Sequence, residues 1–287
     1  MQWIDEKPWR GIALEIETNL SPREMMIRAD IDRPLSKNKK LKSMANQKAV
    51  RFFKAFAEAG DARIEAFGNM ESEPIMWVLA ALNEDFTLPG GDAVRGCVLL
   101  FSKNEKRENV QAQFLTLRGA GNSTLHLPVK VRSTFRNTLL LSPMFDDEMT
   151  QKAKATIDAG RQAISVFASD AGRLAEHQVD DETANRYLFD VFQPGVSSQL
   201  PVIGEKEIEE QAEDKTRKAI AAFKNAPGQE LESARMTAWG LLNAVTYTVD
   251  HLLLKNQDTR LRQAWFGFNA TVKKRAFDLA IGLLKKD

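Results

Sequence analysis

The hydrophobic pattern of this chain changes once, from strand-like to helix-like, and that change constrains the fold most. Between residues 62 and 132, short apolar runs alternate with turns rich in glycine, proline and asparagine, which is typical of antiparallel hairpins. Beyond Pro143 the apolar residues recur every three or four positions, as on the buried face of a helix. Strands followed by helices predict an α+β protein, with a mostly antiparallel sheet of hairpins (about residues 62–132) packed with a C-terminal helical layer.

The first half of the chain divides into two predicted regions. Residues 1–45 show no sustained period and are interpreted as an irregular arm with one strand near Met26 to Ala29. Residues 46–140 hold the sheet and one helix, which Asn46 is expected to cap and Gly60 to end.

Residues 141–287 form the third region, which the pattern predicts to be helical. A stretch near residues 194–214 combines proline, serine and many glutamates, and we interpret it as an acidic linker or loop. The alternative that all three regions form one continuous domain stays open.

Composition is that of an ordinary globular protein, with 43% hydrophobic and 28% charged residues. No apolar run approaches the roughly 18 residues that a membrane span needs, and the first residues do not resemble a signal peptide. We therefore expect a cytoplasmic protein without a membrane partner. The single cysteine, Cys97, lies in an apolar run and is expected to be a small buried residue rather than a nucleophile.

Charge is distributed unevenly, although the net charge is only +1. Residues 95–136 carry eight lysines and arginines against two glutamates, a balance of +6. Residues 145–215 carry seven basic and sixteen acidic residues, a balance of −9, and residues 255–287 return to +5. Such a division could offer one positive face to a polyanion, or it could reflect only solvated loops and helix faces of different sign.

The basic residues of the hairpin region are the candidate contacts for a nucleic acid. They lie in the polar link after residue 102 and on the strands and turns that follow: Lys103, Lys106, Arg107, Arg118, Lys130, Arg132 and Arg136. Cations with interleaved phenylalanines could track a phosphate backbone and stack on bases. Alternatively, the cations protect exposed strand edges and the phenylalanines fill the core.

A polar stripe near the end of the chain has two interpretations. On a helix, Trp239, Asn243, Thr246 and Asp250 fall at i, i+4, i+7 and i+11 and share one face. That face could contact a ligand or another chain, or it could form an internal hydrogen-bonded network that locks the helix against the sheet.

Catalytic and metal-binding patterns are missing from the sequence. Asp250 and His251 are adjacent, and adjacent helical side chains point about 100° apart, so they are not expected to pair. No nucleophile, zinc-protease or phosphate-loop motif occurs. We therefore predict no cofactor and no metal, and we disfavour an enzyme.

Two sequence blocks near the C-terminus resemble a known signature. The first runs Thr237-Ala238-Trp239-Gly240, continues through Asn243-Ala244-Val245-Thr246 and ends at Asp250-His251, and the second is Ala264-Trp265-Phe266-Gly267. Together they resemble the phage/plasmid-like protein family, whose function is unknown. We use "signature residues" for six side chains in these blocks: Trp239, Asn243, Thr246, Asp250, His251 and Trp265.

The resemblance covers most of the chain, from about residue 25 to residue 283. Ala66-Phe67-Gly68 and Arg136-Asn137-Thr138-Leu139 resemble two further family segments. Where the family often has a histidine-containing turn between two strands, this chain has Ser102-Lys103-Asn104-Glu105. The resemblance implies residence on a phage or other mobile element, and hence in the host cytoplasm, but it implies no reaction.

Two functional hypotheses follow from these observations. The first is a non-enzymatic accessory protein that binds nucleic acid, such as single strands during replication or recombination; the predicted arrangement resembles in outline the sheet-plus-helix core of phage strand-annealing proteins. The second is a protein that binds and modulates a host protein through the acidic segment Asp180–Asp214. Homo-oligomerisation is left open.

Overall fold

The computed structural model describes residues 5–17, 20–29, 39–70, 73, 75–103, 109–127, 133–135, 145–192 and 205–285. Within these residues, a mostly N-terminal antiparallel sheet and a C-terminal set of helices form an α+β architecture, as the change of period predicts.

Among the described residues, six antiparallel strands of the sheet lie side by side in chain order, as expected for consecutive hairpins. A seventh, short strand pairs with the first residues of the fifth strand, and the sixth pairs with residues nearer the end of the fifth. The strands are β1 (Ala13–Glu15), β2 (Arg63–Asn69), β3 (Met76–Leu88), β4 (Asp92–Ser102), β5 (Val110–Arg118), β6 (Thr124–His126) and β7 (Ser133–Phe135).

The described helices flank the sheet in sequence. They are α1 (Pro22–Arg28), α2 (Lys39–Ala59), α3 (Asp147–Glu176), α4 (Asp181–Phe192), α5 (Glu205–Asn225), α6 (Ala238–Tyr247), α7 (Gln257–Phe266) and α8 (Phe268–Leu283). A single π-helical turn, Thr248–Leu252, follows α6 directly. None of the described helices is both long and apolar enough to span a membrane.

Both faces of the central strands are covered, which explains why β3 and β4 contain runs of consecutive buried residues. On one face, Phe86 packs against Phe167 of α3. On the other face, Trp77 and its β4 neighbour Phe101 pack against Trp265 and Phe266 of α7. Because side chains alternate between faces along a strand, helices on both sides bury nearly every position.

Buried apolar residues from all three predicted regions belong to one hydrophobic cluster. Trp9 comes from the N-terminal region, Phe101 from the sheet and Trp239 from the helical region, and all three are at most 2% exposed. The division into domains stays a prediction.

Three expectations about local structure are wrong. Met26 lies in helix α1 rather than in a strand, because Ser21 and Glu24 form a reciprocal capping box and Pro22 begins the helix. Asn46 lies inside α2, which begins at Lys39. The part of the predicted acidic loop from residue 205 to residue 214 belongs to α5, because its glutamates, lysines and alanines are strong helix formers; residues 194–204 lie outside the described chain.

Helix α3 approaches the sheet closely through a glycine. A side chain at Gly160 would overlap the ring of Phe114 on β5, whereas one at Gly172 would meet nothing within 4 Å. We therefore expect Gly160→Ala to destabilise the protein by about 1–3 kcal/mol through overpacking. Gly172→Ala on the same helix is expected to stabilise it by up to about 1 kcal/mol through helix propensity.

Urea unfolding of the two variants, followed by circular dichroism, measures this difference. Both variants add one methyl group to α3, so the chemical change is the same. Only the surroundings of the added methyl group differ between positions 160 and 172. A Gly160→Ala variant that is at least as stable as the wild-type protein would contradict the close approach.

Candidate functional site

The carboxylate of Asp92 is the centre of a buried polar cluster between the sheet and helix α6. It accepts hydrogen bonds from Arg118 Nε and Nη2 at 2.8 Å each, from Ser233 Oγ at 2.8 Å and from Trp239 Nε1 at 2.9 Å. Asp92 is fully buried and Arg118 is 4% exposed. Arg118 also donates to the carbonyl of Gly228 at 2.7 Å. We call Asp92, Arg118, Ser233 and Trp239 the Asp92 cluster.

A second buried cluster joins the π-helical turn to strand β6. The Asp250 carboxylate forms an ion pair with Lys273 of α8 and accepts hydrogen bonds from Thr124 N (2.6 Å) and Thr124 Oγ1 (3.0 Å). Lys273 Nζ donates to the Thr124 carbonyl at 2.8 Å, and Trp265 Nε1 donates to Thr124 Oγ1 at 3.2 Å. We call Asp250, Lys273, Thr124 and Trp265 the Asp250 cluster.

Burial sets the protonation preferences in the Asp250 cluster. Desolvation lowers the pKa of Lys273 below its ordinary value, and the charge and hydrogen bond of Asp250 oppose this shift. Desolvation also lowers the pKa of His251, while Asp250 and the backbone of Gly121 oppose it. Burial therefore favours the neutral form of His251, and no described side chain lies in hydrogen-bonding geometry with its ring nitrogens.

The remaining signature residues continue the same polar stripe along α6. Asn243 donates its side-chain amide to the Trp239 carbonyl at 2.8 Å. Thr246 Oγ1 donates to the Asn243 carbonyl at 3.0 Å and contacts Ser123 Oγ at 3.2 Å. Every residue of α6 is buried. The stripe is thus an internal hydrogen-bonded network between α6 and the β5–β6 edge, one of the two alternatives that its spacing allows.

Of the seven predicted nucleic-acid contacts, the structure describes Lys103 and Arg118. Lys103 is exposed at the end of β4, with its Nζ 5.4 Å from the ring centroid of Phe101 and 5.2 Å from that of Phe266. Arg118 is buried in the Asp92 cluster, so its guanidinium is not offered to a ligand at the surface. The other five, Lys106, Arg107, Lys130, Arg132 and Arg136, lie outside the described residues.

Several other cations of the two positive segments are engaged within the protein. Arg95 pairs with Glu65 at 2.7 Å, and Arg262 pairs with Glu73 at 2.6 Å. Lys274 pairs with Asp278, one turn along α8. These pairs reduce the positive charge that the sequence segregation suggests at the surface.

The partners of the signature residues were missed by reasoning from the sequence. Asp92 follows a Pro-Gly-Gly turn and resembles an ordinary turn residue. Thr124 carries no distinguishing pattern. Lys273 does carry a signal, since it shares a helical stripe with Val272, Ala276 and Ala280, all of which are buried.

The described residues show no metal-binding group, and their single cysteine is buried. In that part of the chain, no three His, Cys, Asp or Glu side chains lie close enough together to hold a metal ion. Cys97 is fully buried, and desolvation raises the pKa of its thiol, which disfavours the reactive thiolate.

A family model described as Domain of unknown function (DUF932) matches residues 36–265. No curated protein and no solved structure matches the chain. The matched span includes the sheet from β2 onward, the Asp92 cluster and all six signature residues, of which Trp265 is the last residue matched. Because it also makes up most of the 287 residues, this chain belongs to the DUF932 family of domains of unknown function.

Proposed function

We propose that this protein is a non-enzymatic accessory protein of a phage or other mobile element that binds nucleic acid at the end of strand β4. The observation that carries the proposal is the position of Lys103, an exposed ammonium close to two aromatic rings. The link that begins there also contains Lys106 and Arg107 in the sequence. Three cations within five residues provide the charge density that a phosphate backbone attracts.

The two buried clusters support a binding site at the end of β4, because they are themselves unsuitable as a ligand site. Arg118 and Trp239 donate hydrogen bonds to Asp92, and Asp250 accepts one from Thr124, so the polar groups of these residues are already bonded inside the protein. A ligand would have to break those buried hydrogen bonds to use them, at a cost of several kcal/mol for charged groups. Lys103, by contrast, is an exposed residue at the end of β4.

Fluorescence anisotropy with labelled single-stranded DNA, duplex DNA and RNA tests the proposal. If the three cations each neutralise about one phosphate, raising the salt from about 50 to about 200 mM should weaken binding roughly 20- to 40-fold. The triple variant Lys103→Glu, Lys106→Glu, Arg107→Glu should lose binding. The matched control compares Lys103→Glu alone with Lys154→Glu, the same charge reversal at an exposed position on α3, which covers the opposite face of the sheet. The absence of binding to every probe even at low salt would refute the proposal.

The second candidate function is binding and modulation of a host protein, and it has an observation of its own. Helix α4 exposes Phe189, 42% accessible, together with Asp181, Glu182 and Asp190. An exposed apolar side chain on a helix that carries several exposed carboxylates suits a partner with an apolar centre and basic residues at its rim. This alternative predicts a stoichiometric, nuclease-resistant partner from host cells whose capture is lost in Phe189→Ala. The nucleic-acid proposal predicts that capture depends on Lys103 and is removed by nuclease.

A further inference from the structure

An exposed phenylalanine follows, two residues later in the chain, one of the two aromatic rings near the Lys103 ammonium. Phe268 is the first residue of α8 and is 57% exposed. Phe266, two residues earlier, is half-buried, with its ring centroid 4.7 Å from that of Phe101. One exposed aromatic residue means little alone, because apolar atoms make up much of any protein surface. Here, however, it follows by two residues Phe266, whose ring centroid lies 5.2 Å from the Lys103 ammonium.

The backbone between the two phenylalanines is fixed. Gly267 has an extended conformation, and a side chain there would overlap Gln263. The Gln263 side-chain oxygen accepts a hydrogen bond from Phe268 N at 3.1 Å, and its carbonyl accepts one from Gly267 N at 3.2 Å. The backbone at Phe268 is therefore fixed by these hydrogen bonds before any ligand arrives, which reduces the entropy that binding would cost.

We propose that Phe268, with Phe266 and Lys103 beside it, forms a stacking site for an unpaired base of a single-stranded nucleic acid. The inference rests on the proposed function and specifies its substrate class. A phenylalanine ring can stack on any base, while an adjacent ammonium attracts the flanking phosphate. In a duplex the base faces are already stacked on one another, so the ring has no face to bind. Phe268 therefore favours single strands, whereas the positive charge of Lys103 attracts the phosphates of single strands and duplexes alike.

The test compares three probes of equal length: a single strand of thymidines, a strand of abasic sugars with the same phosphates, and a duplex. The wild-type protein should bind the thymidine strand more tightly than the abasic strand. Phe268→Ala should weaken binding to the thymidine strand by about 5- to 100-fold, which is the range expected for one stacked base. It should leave binding to the abasic strand and to the duplex unchanged.

The matched control is Phe189→Ala, which removes another exposed phenylalanine, 42% accessible, from a helix with an acidic surface. It should bind all three probes as the wild-type protein does, and Phe268→Tyr should retain the preference for thymidines. If Phe268→Ala binds the thymidine strand with wild-type affinity, the stacking site is refuted while the nucleic-acid function stands. If the wild-type protein binds none of the probes, the proposed function fails and the stacking site fails with it.

Discussion

Replacing Asp92 by alanine is expected to lower the free energy of unfolding by about 3–5 kcal/mol, because it leaves the guanidinium of Arg118 buried without its counter-charge. Asp92 is fully buried and is the acceptor for three side chains from β5, the segment before α6, and α6 itself. Ser233 and Trp239 would lose their acceptor at the same time, and an unsatisfied buried donor adds its own desolvation cost.

Urea unfolding, monitored by circular dichroism, measures the effect. The control is Asp278→Ala, which breaks an exposed pair with Lys274 and is expected to change stability by less than about 1 kcal/mol. The double variant Asp92→Leu, Arg118→Leu should be less unstable than the two single changes combined, since it leaves no unpaired charge. If Asp92→Ala is as stable as Asp278→Ala, the Asp92 cluster does not hold the sheet to the helices.

Lys273→Met is expected to have an effect of similar size, about 3–5 kcal/mol, because it leaves the carboxylate of Asp250 buried without a cation. Lys273 and Asp250 are at most 1% exposed, and Thr124 donates to the same carboxylate from its backbone and its side chain. Asp250→Asn combined with Lys273→Met keeps an acceptor for Thr124 and removes both charges. The double variant should therefore recover part of the lost stability.

The neighbouring residue supplies the matched control for this experiment. Lys274→Met makes the same chemical change one position along α8, where the ammonium is exposed and pairs with Asp278. We expect its unfolding midpoint to stay close to that of the wild-type protein. If Lys273→Met and Lys274→Met both change the free energy of unfolding by the same small amount, the structural role of the Asp250 cluster is contradicted. It is also contradicted if the losses of stability in Asp250→Asn and Lys273→Met simply add in the double variant.

The sheet could be predicted from the sequence because its hairpins depend on local signals. Turn residues and apolar runs between residues 62 and 132 indicate the hairpins that β2 to β5 form. Strand β1 was harder to predict, since a strand of three residues shows no resolvable alternation. Helix α1 was missed because its capping residues, Ser21 and Glu24, were not recognised as a helix start.

The candidate site was less predictable because its bonds join residues that are far apart in sequence. The polar stripe of Trp239, Asn243, Thr246 and Asp250 could be predicted from helical spacing, but its partners on the sheet could not. Asp92 and Trp239 lie 147 positions apart, and no local pattern links them. The π-helical turn that contains Asp250 also departs from the regular spacing on which the prediction depends.

Arg118 shows how strand alternation could have improved the prediction. It follows Phe114 and Thr116 at a spacing of two on β5, so all three share the face that α3 covers. An arginine on a covered face requires a buried counter-charge, which Asp92 supplies. The prediction that Arg118 is a surface cation overlooked this alternation of side chains between the two faces of β5.

The most direct test of the division between scaffold and binding surface is the single-strand affinity of folded Trp239→Phe, measured beside that of Lys103→Glu. Trp239→Phe removes the hydrogen bond to Asp92 but leaves the surface unchanged, so it should unfold more easily and yet bind as tightly as the wild-type protein. Lys103→Glu should remain as stable and bind several-fold more weakly. A folded Trp239→Phe protein that loses affinity while Lys103→Glu keeps it would mean that the signature face is the binding site.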